Sequence, residues 1–406
     1  ERAVHCWRRA GDLAINQLAH HEAFASYNRA LDLLGDMPQS TERDSIELEL
    51  CMAIAEPLVA MRGSGSRKLA QLTHRAHELC IRTLNKSHLT AVQYLKWTVM
   101  QSGTELSDLH VVAENILQIS NDDDAVAKLL THRAMGFTCM IQGKLEKAYD
   151  EFEQFIQLFD YEKYAKSVSF QFSSMNDVSG SALAMATICL LRKQPDAANQ
   201  WRDKALAWAL RSHNQVAICQ SLVFSGGFIA GLQYHVDEMV EHMTQARHYV
   251  TKHQLSLWIP YIDLSMALSQ LMLNDTEPKV TQLLQQASES MEVLLTQNGP
   301  YITVWAVMYA RACSMHKQHE SGLNVLNRVQ RRVQSGERWV EPELIRLHAN
   351  FSYAMGLTDA ETCLETLKAA LALSNTQGSH LFIDAILQNV DAVGWDMAST
   401  VLECAK

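Results

Sequence analysis

Residues 7–31 read WRRAGDLAINQLAHHEAFASYNRAL. Trp7, Gly11 and Ala14 fall at offsets 0, 4 and 7, and Ala23, Tyr27 and Ala30 at offsets 16, 20 and 23. Steps of four and three place residues on one stripe of a helix, so the stretch reads as two helices joined by a short turn. Gly11 and Ala23 are small enough to let the two backbones approach closely. Trp7 and Tyr27 are expected to fill the volume beside them.

The same six-position frame recurs. His132, Gly136, Cys139, Ala148, Phe152 and Phe155 repeat it, as do Ala182, Ala186, Cys189, Ala198, Arg202 and Ala205. First frame positions fall at 7, 53, 93, 132, 182, 223, 264, 306 and 347, with the units at 53 and 93 the weakest. The spacing W-x3-G-x2-A…A-x3-Y-x2-A resembles a tetratricopeptide repeat, but the interval is mostly near 41 residues, against about 34 for that repeat. The expected fold is therefore all-α, a right-handed superhelical solenoid of about nine long tetratricopeptide-like hairpins. It should form a single array over residues 1–406, with repeats in 1–160, an insertion at 161–177 and further repeats in 178–406.

Composition agrees with this class. Seven prolines and 17 glycines in 406 residues leave few breakers, as an all-helical chain requires. A formal charge of −10 argues against direct nucleic-acid binding. The longest apolar run, ALAMATICLL at 182–191, ends at Arg192 and Lys193 and is too short to cross a bilayer. No secretory signal is visible. Nine cysteines show no C-x-x-C pair, which points to a reducing, cytoplasmic setting. Cys139, Cys189 and Cys313 occupy the small-residue position held by Ala14 in the first unit and read as packing residues. The chain opens at Glu1 inside a helical pattern, and it is expected to be an excerpt of a longer protein.

Three stretches carry a wider resemblance. Residues 46–80, IELELCMAIAEPLVAMRGSGSRKLAQLTHRAHELC, look like the start of the repeat region in large bacterial signalling proteins. Those proteins join an AAA/STAND-type ATPase module to a C-terminal repeat array, often with a class III adenylate or guanylate cyclase domain or a DNA-binding domain. Residues 159–198 resemble a second signature of that region, D-P-x-x-H…Y-G-Q-D-P-G-V, but the glycine-glutamine pair is replaced around Ser173 and Ser174 and no proline precedes Val178. Residues 336–351, GERWVEPELIRLHANF, resemble a third. The resemblance implies a regulatory or sensing array whose ATPase or cyclase lies upstream.

Nothing in the chain forms a defensible catalytic set. RGSGSRK at 62–68 lacks the spacing and the preceding strand of a phosphate loop and reads as a turn between helices. The pairs His74/His77 and His316/His319 stand three apart without a third ligand. The run Asn121-Asp122-Asp123-Asp124 lacks the alternation of a calcium loop and reads as a helix cap. Arg328, Arg331 and Arg332, with Arg338 and Arg346 behind them, form either a basic patch or a solvated helix face. No serine–histidine–acid set stands out, so no catalysis, cofactor or metal is expected.

In tetratricopeptide arrays the first helix of each hairpin lines the concave face, so positions one and five beyond the first frame residue should point there. That gives Arg8 and Asp12, Arg133 and Phe137, Phe224 and Phe228, Val307 and Arg311, and His348 and Ser352. The plainer reading of the aromatics is packing against the next hairpin. The insertion adds Gln171, Asn176 and Asp177 as polar contacts if it folds into the groove, or it merely plugs a gap between hairpins. The expected occupant is a protein or peptide, or a small effector with an acidic end, together with upstream domains of the same chain. Two functions remain open: a sensor and interaction scaffold regulating an upstream ATPase or cyclase, and a passive homo-oligomerisation module.

Overall fold

The four-and-three spacing folds as paired helices at every unit of the frame. The computed structural model describes residues 1–84, 86–103, 106–119, 124–160, 177–273, 276–297, 299 and 301–393. The first three hairpins are α1 (Arg2–Asn16) with α2 (His20–Gly35), α3 (Thr41–Arg62) with α4 (Arg67–Thr83), and α5 (Lys86–Met100) with α6 (Leu109–Gln118). The next three are α7 (Ala125–Ile141) with α8 (Leu145–Leu158), α9 (Asp177–Leu191) with α10 (Pro195–Ser212), and α11 (Gln215–Val223) with α12 (Val236–His253). The last three are α13 (Ile259–Leu271) with α14 (Glu277–Gln297), α15 (Ile302–Met315) with α16 (His319–Ser335), and α17 (Glu341–Ala354) with α18 (Ala360–Gln377). A further helix, α19 (Ile383–Ala392), follows. The described residues contain no strand, and no helix among them is long and apolar enough to cross a membrane. This is an all-α superhelical solenoid.

Asp124 caps α7 by accepting from the backbone N–H groups of Val126 and Ala127 at 3.0 Å, as expected of the acidic run; Asn121 to Asp123 lie outside the described residues. Ser40, Asn214 and Asp359 cap α3, α11 and α18 in the same manner. Glycine and aromatic positions of the frame interlock. A Cβ on Gly11 would lie 2.4 Å from the Tyr27 ring, and one on Gly136 would lie 2.9 Å from the Phe152 ring. Between hairpins the roles exchange, since a Cβ on Gly322 would lie 2.4 Å from Phe351 of the next unit. Cys139, Cys189 and Cys313 are buried at the small-residue position. Burial pushes their thiols up, Cys313 to about 12, so they pack as small apolar groups. Trp7 departs from its expected role: it is 42% exposed.

Superhelical winding brings distant hairpins together at a regular offset of about five. The turn after α1 meets the end of α12 around a pocket shared by residues 17–22 and 252–255. Gly63, after α3, faces Leu257 before α13. After α5, the backbone carbonyls of Gln101 and Gly103 accept from the Arg332 guanidinium of α16, at 2.8 Å for Gln101. After α7, the Ile141 carbonyl accepts from the Arg338 N–H at 2.7 Å. After α9, Lys193 pairs with Asp384 of α19 at 2.7 Å. The A–B turns of hairpins one to five thus sit on the later connections, and one turn of the superhelix stacks on the next.

That stacking corrects the reading of the arginines. Arg332 is buried and held by Glu337 at 2.7 Å. Arg346 is buried and paired with Glu343 at 2.7 Å, Arg328 pairs with Glu292, and Arg338 pairs with Glu341. Arg328, Arg331 and Arg338 are exposed, whereas Arg332 is buried in the seam between turns and Arg346 is buried beside α19, where a charge must be paired.

Glu343 is fully buried between Arg311 and Arg346, at 2.7 Å from each. Burial alone would push its carboxyl up, but the two guanidiniums overcome that and hold it at about 2. A depressed carboxylate stabilises the fold above its unfolded value, near 4.3, and loses that contribution as pH falls toward the folded value. Urea unfolding from pH 5 to 2 should therefore show a loss of stability that Glu343→Gln lacks. The variant should also be weaker at pH 7 by roughly 3–5 kcal/mol, since both arginines lose their partner. In the frame itself, Gly136→Leu should cost about 1–3 kcal/mol through overpacking against Phe152. Phe152→Ala in the same chain should cost less than in wild type, and additive losses by denaturant titration would misplace the frame.

Candidate functional site

The first helices of hairpins three, four and five turn one face toward the superhelix axis. Tyr94 and Thr98 of α5, Arg133 and Phe137 of α7, and Leu183 and Thr187 of α9 line a cavity there of about 180 Å³. Phe224 closes one side from the π-helical segment Phe224–Ala230 that continues α11. The stacked turn supplies the opposite wall with Trp258, Tyr261, Tyr301 and Trp339. Arg62, Gly63, Ser64 and Gly65 also line it. The stretch read as a plain turn is a turn, with Gly63 at φ 75° ending α3 and donating to Val59 O at 2.8 Å, and it is also part of the wall.

The wall is built from stacked rings. Phe137 and Phe224 lie 6.3 and 6.0 Å from the Tyr301 ring, and Tyr301 lies 5.6 Å from Trp339. Arg133 is buried and fixed by this arrangement. Its guanidinium stands 5.0 Å from the Phe137 centroid and 5.8 Å from that of Tyr94, and it donates to the Tyr94 hydroxyl. Burial, reinforced by the charge of Glu337, pushes the Tyr261 phenol up to about 12. Burial also raises Tyr301, whose hydroxyl donates to Gln101 Oε1 at 3.2 Å. Both phenols therefore stay neutral near pH 7. The indole N–H groups of Trp258 and Trp339 are buried and have no hydrogen-bond acceptor among the described residues. A donor so placed costs about 1–3 kcal/mol relative to a bonded one.

The structure brings together only some of the residues named from sequence. Arg133, Phe137 and Phe224 meet at the cavity. Phe228 is fully buried and packs against Trp339, with ring centroids 5.5 Å apart. Arg311 is buried against Glu343 and stands 5.7 Å from the Phe382 ring. Arg8 pairs with Glu49 of the second hairpin, and Asp12 accepts from the Tyr27 hydroxyl at 2.8 Å. Val307 and Ser352 are buried, while His348 is exposed. Gln171 and Asn176 lie outside the described residues, and of Asp177 only its place as first residue of α9 is described.

The residues missed divide into two kinds. Tyr94, Thr98, Leu183 and Thr187 stand one and five beyond frame positions 93 and 182, so the rule that named Arg133 and Phe137 would have found them if applied to every unit. Tyr261, Tyr301 and Trp339 come from the stacked turn, and no local spacing announces them.

No family model matches this chain, and no curated protein sequence matches it. Among solved structures it is similar to a Rap protein complexed with competence and sporulation factor, at 10% identity and a TM-score of 0.44 over 99% of this chain and 98% of that one. It is also similar to yeast Tom70, at 10% identity and a TM-score of 0.28 over 99% of both chains. A third is a chain of the APC/C hetero-tetramer Cut9–Hcn1, at 10% identity and a TM-score of 0.22 over 96% and 91%. At this level the likeness concerns the course of the helices alone.

Proposed function

We propose that this chain is a non-catalytic effector-binding module whose ligand enters the axial cavity and reports its presence through the winding of the superhelix. The observation that carries this reading is the pair of buried indole N–H groups, Trp258 and Trp339, set without acceptors among the described residues in a wall of aromatic rings. Such a site suits a small, ring-sized molecule, or one peptide side chain, bearing an acceptor oxygen such as a carboxylate or carbonyl. A volume of about 180 Å³ sets that size, since a dry apolar cavity of about 150 Å³ accommodates benzene. Arg133 adds positive charge toward an acidic end. Glu56 is the one carboxylate among the described lining residues, with no histidine or cysteine beside it, a set suited to binding and not to acid–base chemistry.

The ligand would touch Tyr94 and Phe137 on one turn and Tyr301 and Trp339 on the stacked turn, so occupancy favours the closed winding. We propose that this closure is the signal passed to an upstream ATPase or nucleotide cyclase, the partner implied by residues 46–80, 159–198 and 336–351. The module would act in the cytoplasm.

Native mass spectrometry of the chain, purified from cells and then mixed with benzoate, phenylacetate and short acidic peptides, tests the binding. A retained or added small mass is expected. Replacing both indoles, Trp258→Phe and Trp339→Phe, should weaken it about 10-fold or more, since each hydrogen bond to a charged group is worth about 1.5–3 kcal/mol. Unchanged binding in the double variant, or no bound mass with any probe, removes the basis of the reading.

A further inference from the structure

We propose that the recess between the α1–α2 turn and the end of α12 binds a small dianion of the phosphate or sulfate class, which clamps the first hairpin to the sixth. The recess has a volume of about 260 Å³. His20, His21 and Glu22 of α2 line one side, and Lys252 and His253 of α12 line the other. Ala60 and Met61 of α3 add apolar lining. Among the described lining residues three histidines and a lysine stand against one carboxylate, in a chain whose formal charge is −10.

A helix end and a buried side chain both lack an acceptor here. Ala19 precedes α2 and has no side chain to cap it. The first bond of that helix runs from the Ala23 N–H to the Ala19 carbonyl at 2.9 Å. The N–H groups of His20, His21 and Glu22 therefore form the positive end of α2. Independently, His20 is 9% exposed and lines the recess, and its ring Nδ1 is buried without a hydrogen-bond partner. An unmet polar atom at that depth is costly, and an anion oxygen supplies the acceptor once the nitrogen carries a proton. On the far side, the Gln254 and Leu255 N–H groups close α12 on its own Val250 carbonyl. That end brings Lys252 and His253 to the recess.

Tetrahedral oxygens can meet helix N–H groups and cationic side chains together, as phosphate and sulfate do at helix N-termini. Among the described residues no three of His, Cys, Asp and Glu gather as a metal site, so the histidines are placed as donors and not as ligands. Burial, then the charge of His21, holds the His20 ring below the ordinary histidine range. Burial, then Lys252 and His248, does the same at His253. A dianion set among these bases reverses the repulsion, so its binding takes up protons. The charges that bear on this uptake are His20, His21 and Glu22 on α2, His248, Lys252 and His253 on α12, and Arg62, which follows Met61 on α3. None of this depends on the axial cavity having a ligand.

Calorimetric titration of the 406-residue chain with sulfate, and separately with inorganic phosphate, reads the site when ionic strength is held constant. One anion per chain is expected at pH 6. Sulfate keeps its charge between pH 6 and 8, so a change in its affinity belongs to the protein. That affinity should fall as pH rises through the histidine range, about 6.5. His21→Ala combined with Lys252→Ala should weaken both anions about 10-fold or more. Glu22→Gln should instead tighten them about 3-fold, since the opposing charge is gone. All three side chains are exposed, and the opposite signs separate a lost contact from a lost fold. The proposal is overturned if neither anion saturates the chain at pH 6, with or without a zinc titration that does. Equal affinity in the double variant, or weaker binding in Glu22→Gln, overturns it as well.

Discussion

One guanidinium, buried 231 positions along the chain from its farther acceptor, holds the first superhelical turn to the second. Arg332 reaches the carbonyls of Gln101 and Gly103, just beyond the last residue of α5. The carbonyls at a helix end lack intrahelical donors and carry partial negative charge, so a cation there satisfies both needs. Burying that cation is tolerable because Glu337 accompanies it, and Glu337 is in turn bound by the N–H and hydroxyl of Thr303. Each member of the network answers the burial of another. An ordinary solenoid is nearly one-dimensional, with contacts only between neighbouring repeats. Here hairpin three is tied to hairpin eight, and the array gains cooperativity along a second direction.

The cavity follows from the same closure. Its near wall is the inner face of α5, α7 and α9, and its far wall is Tyr261, Tyr301 and Trp339 from the turn stacked against it. The close approach that makes each hairpin narrow enough to wind so tightly comes from the frame: a ring lies where a Cβ would otherwise stand, Tyr27 over Gly11 and Phe152 over Gly136. Packing within hairpins, winding of hairpins and enclosure of the cavity are thus one chain of causes. Disturbing any step alters those after it.

Read in one dimension, the sequence specifies the hairpins well, because the first frame positions from Trp7 to Leu347 each fall in a separate helical pair. It specifies the near wall partly. Arg133 and Phe137 follow from the stripe, whereas Phe228, in the π-helical segment with Gly226 and Gly227, is fully buried between the Phe224 and Trp339 rings and does not line the cavity. The glycines allow the approach of His242 and Trp305, which a Cβ at either position would meet at 2.6 and 2.9 Å. The far wall was not legible. Its position depends on the sum of small rotations over five hairpins, and no local spacing records that sum. The same lack hides the place of one arginine: Arg332 looks like a surface charge on α16 until the winding places it in a seam.

A ligand can shift a conformational equilibrium only by the difference in its affinity for the two states. A molecule held by one turn alone would bind an open and a closed winding equally and would report nothing. The indole donor of Trp339 and the ring of Tyr301 belong to one turn, and Arg133 with Phe137 to the other, so a ligand spanning them loses contacts on one side when the turns part. Each unsatisfied indole donor, at about 1–3 kcal/mol, weakens the closed state when it stays unbonded. On the proposed reading, a bound acceptor oxygen would return that energy only while the walls are together. On that reading the same groups would let occupancy favour closure, the arrangement that a reporting module requires and a rigid scaffold does not.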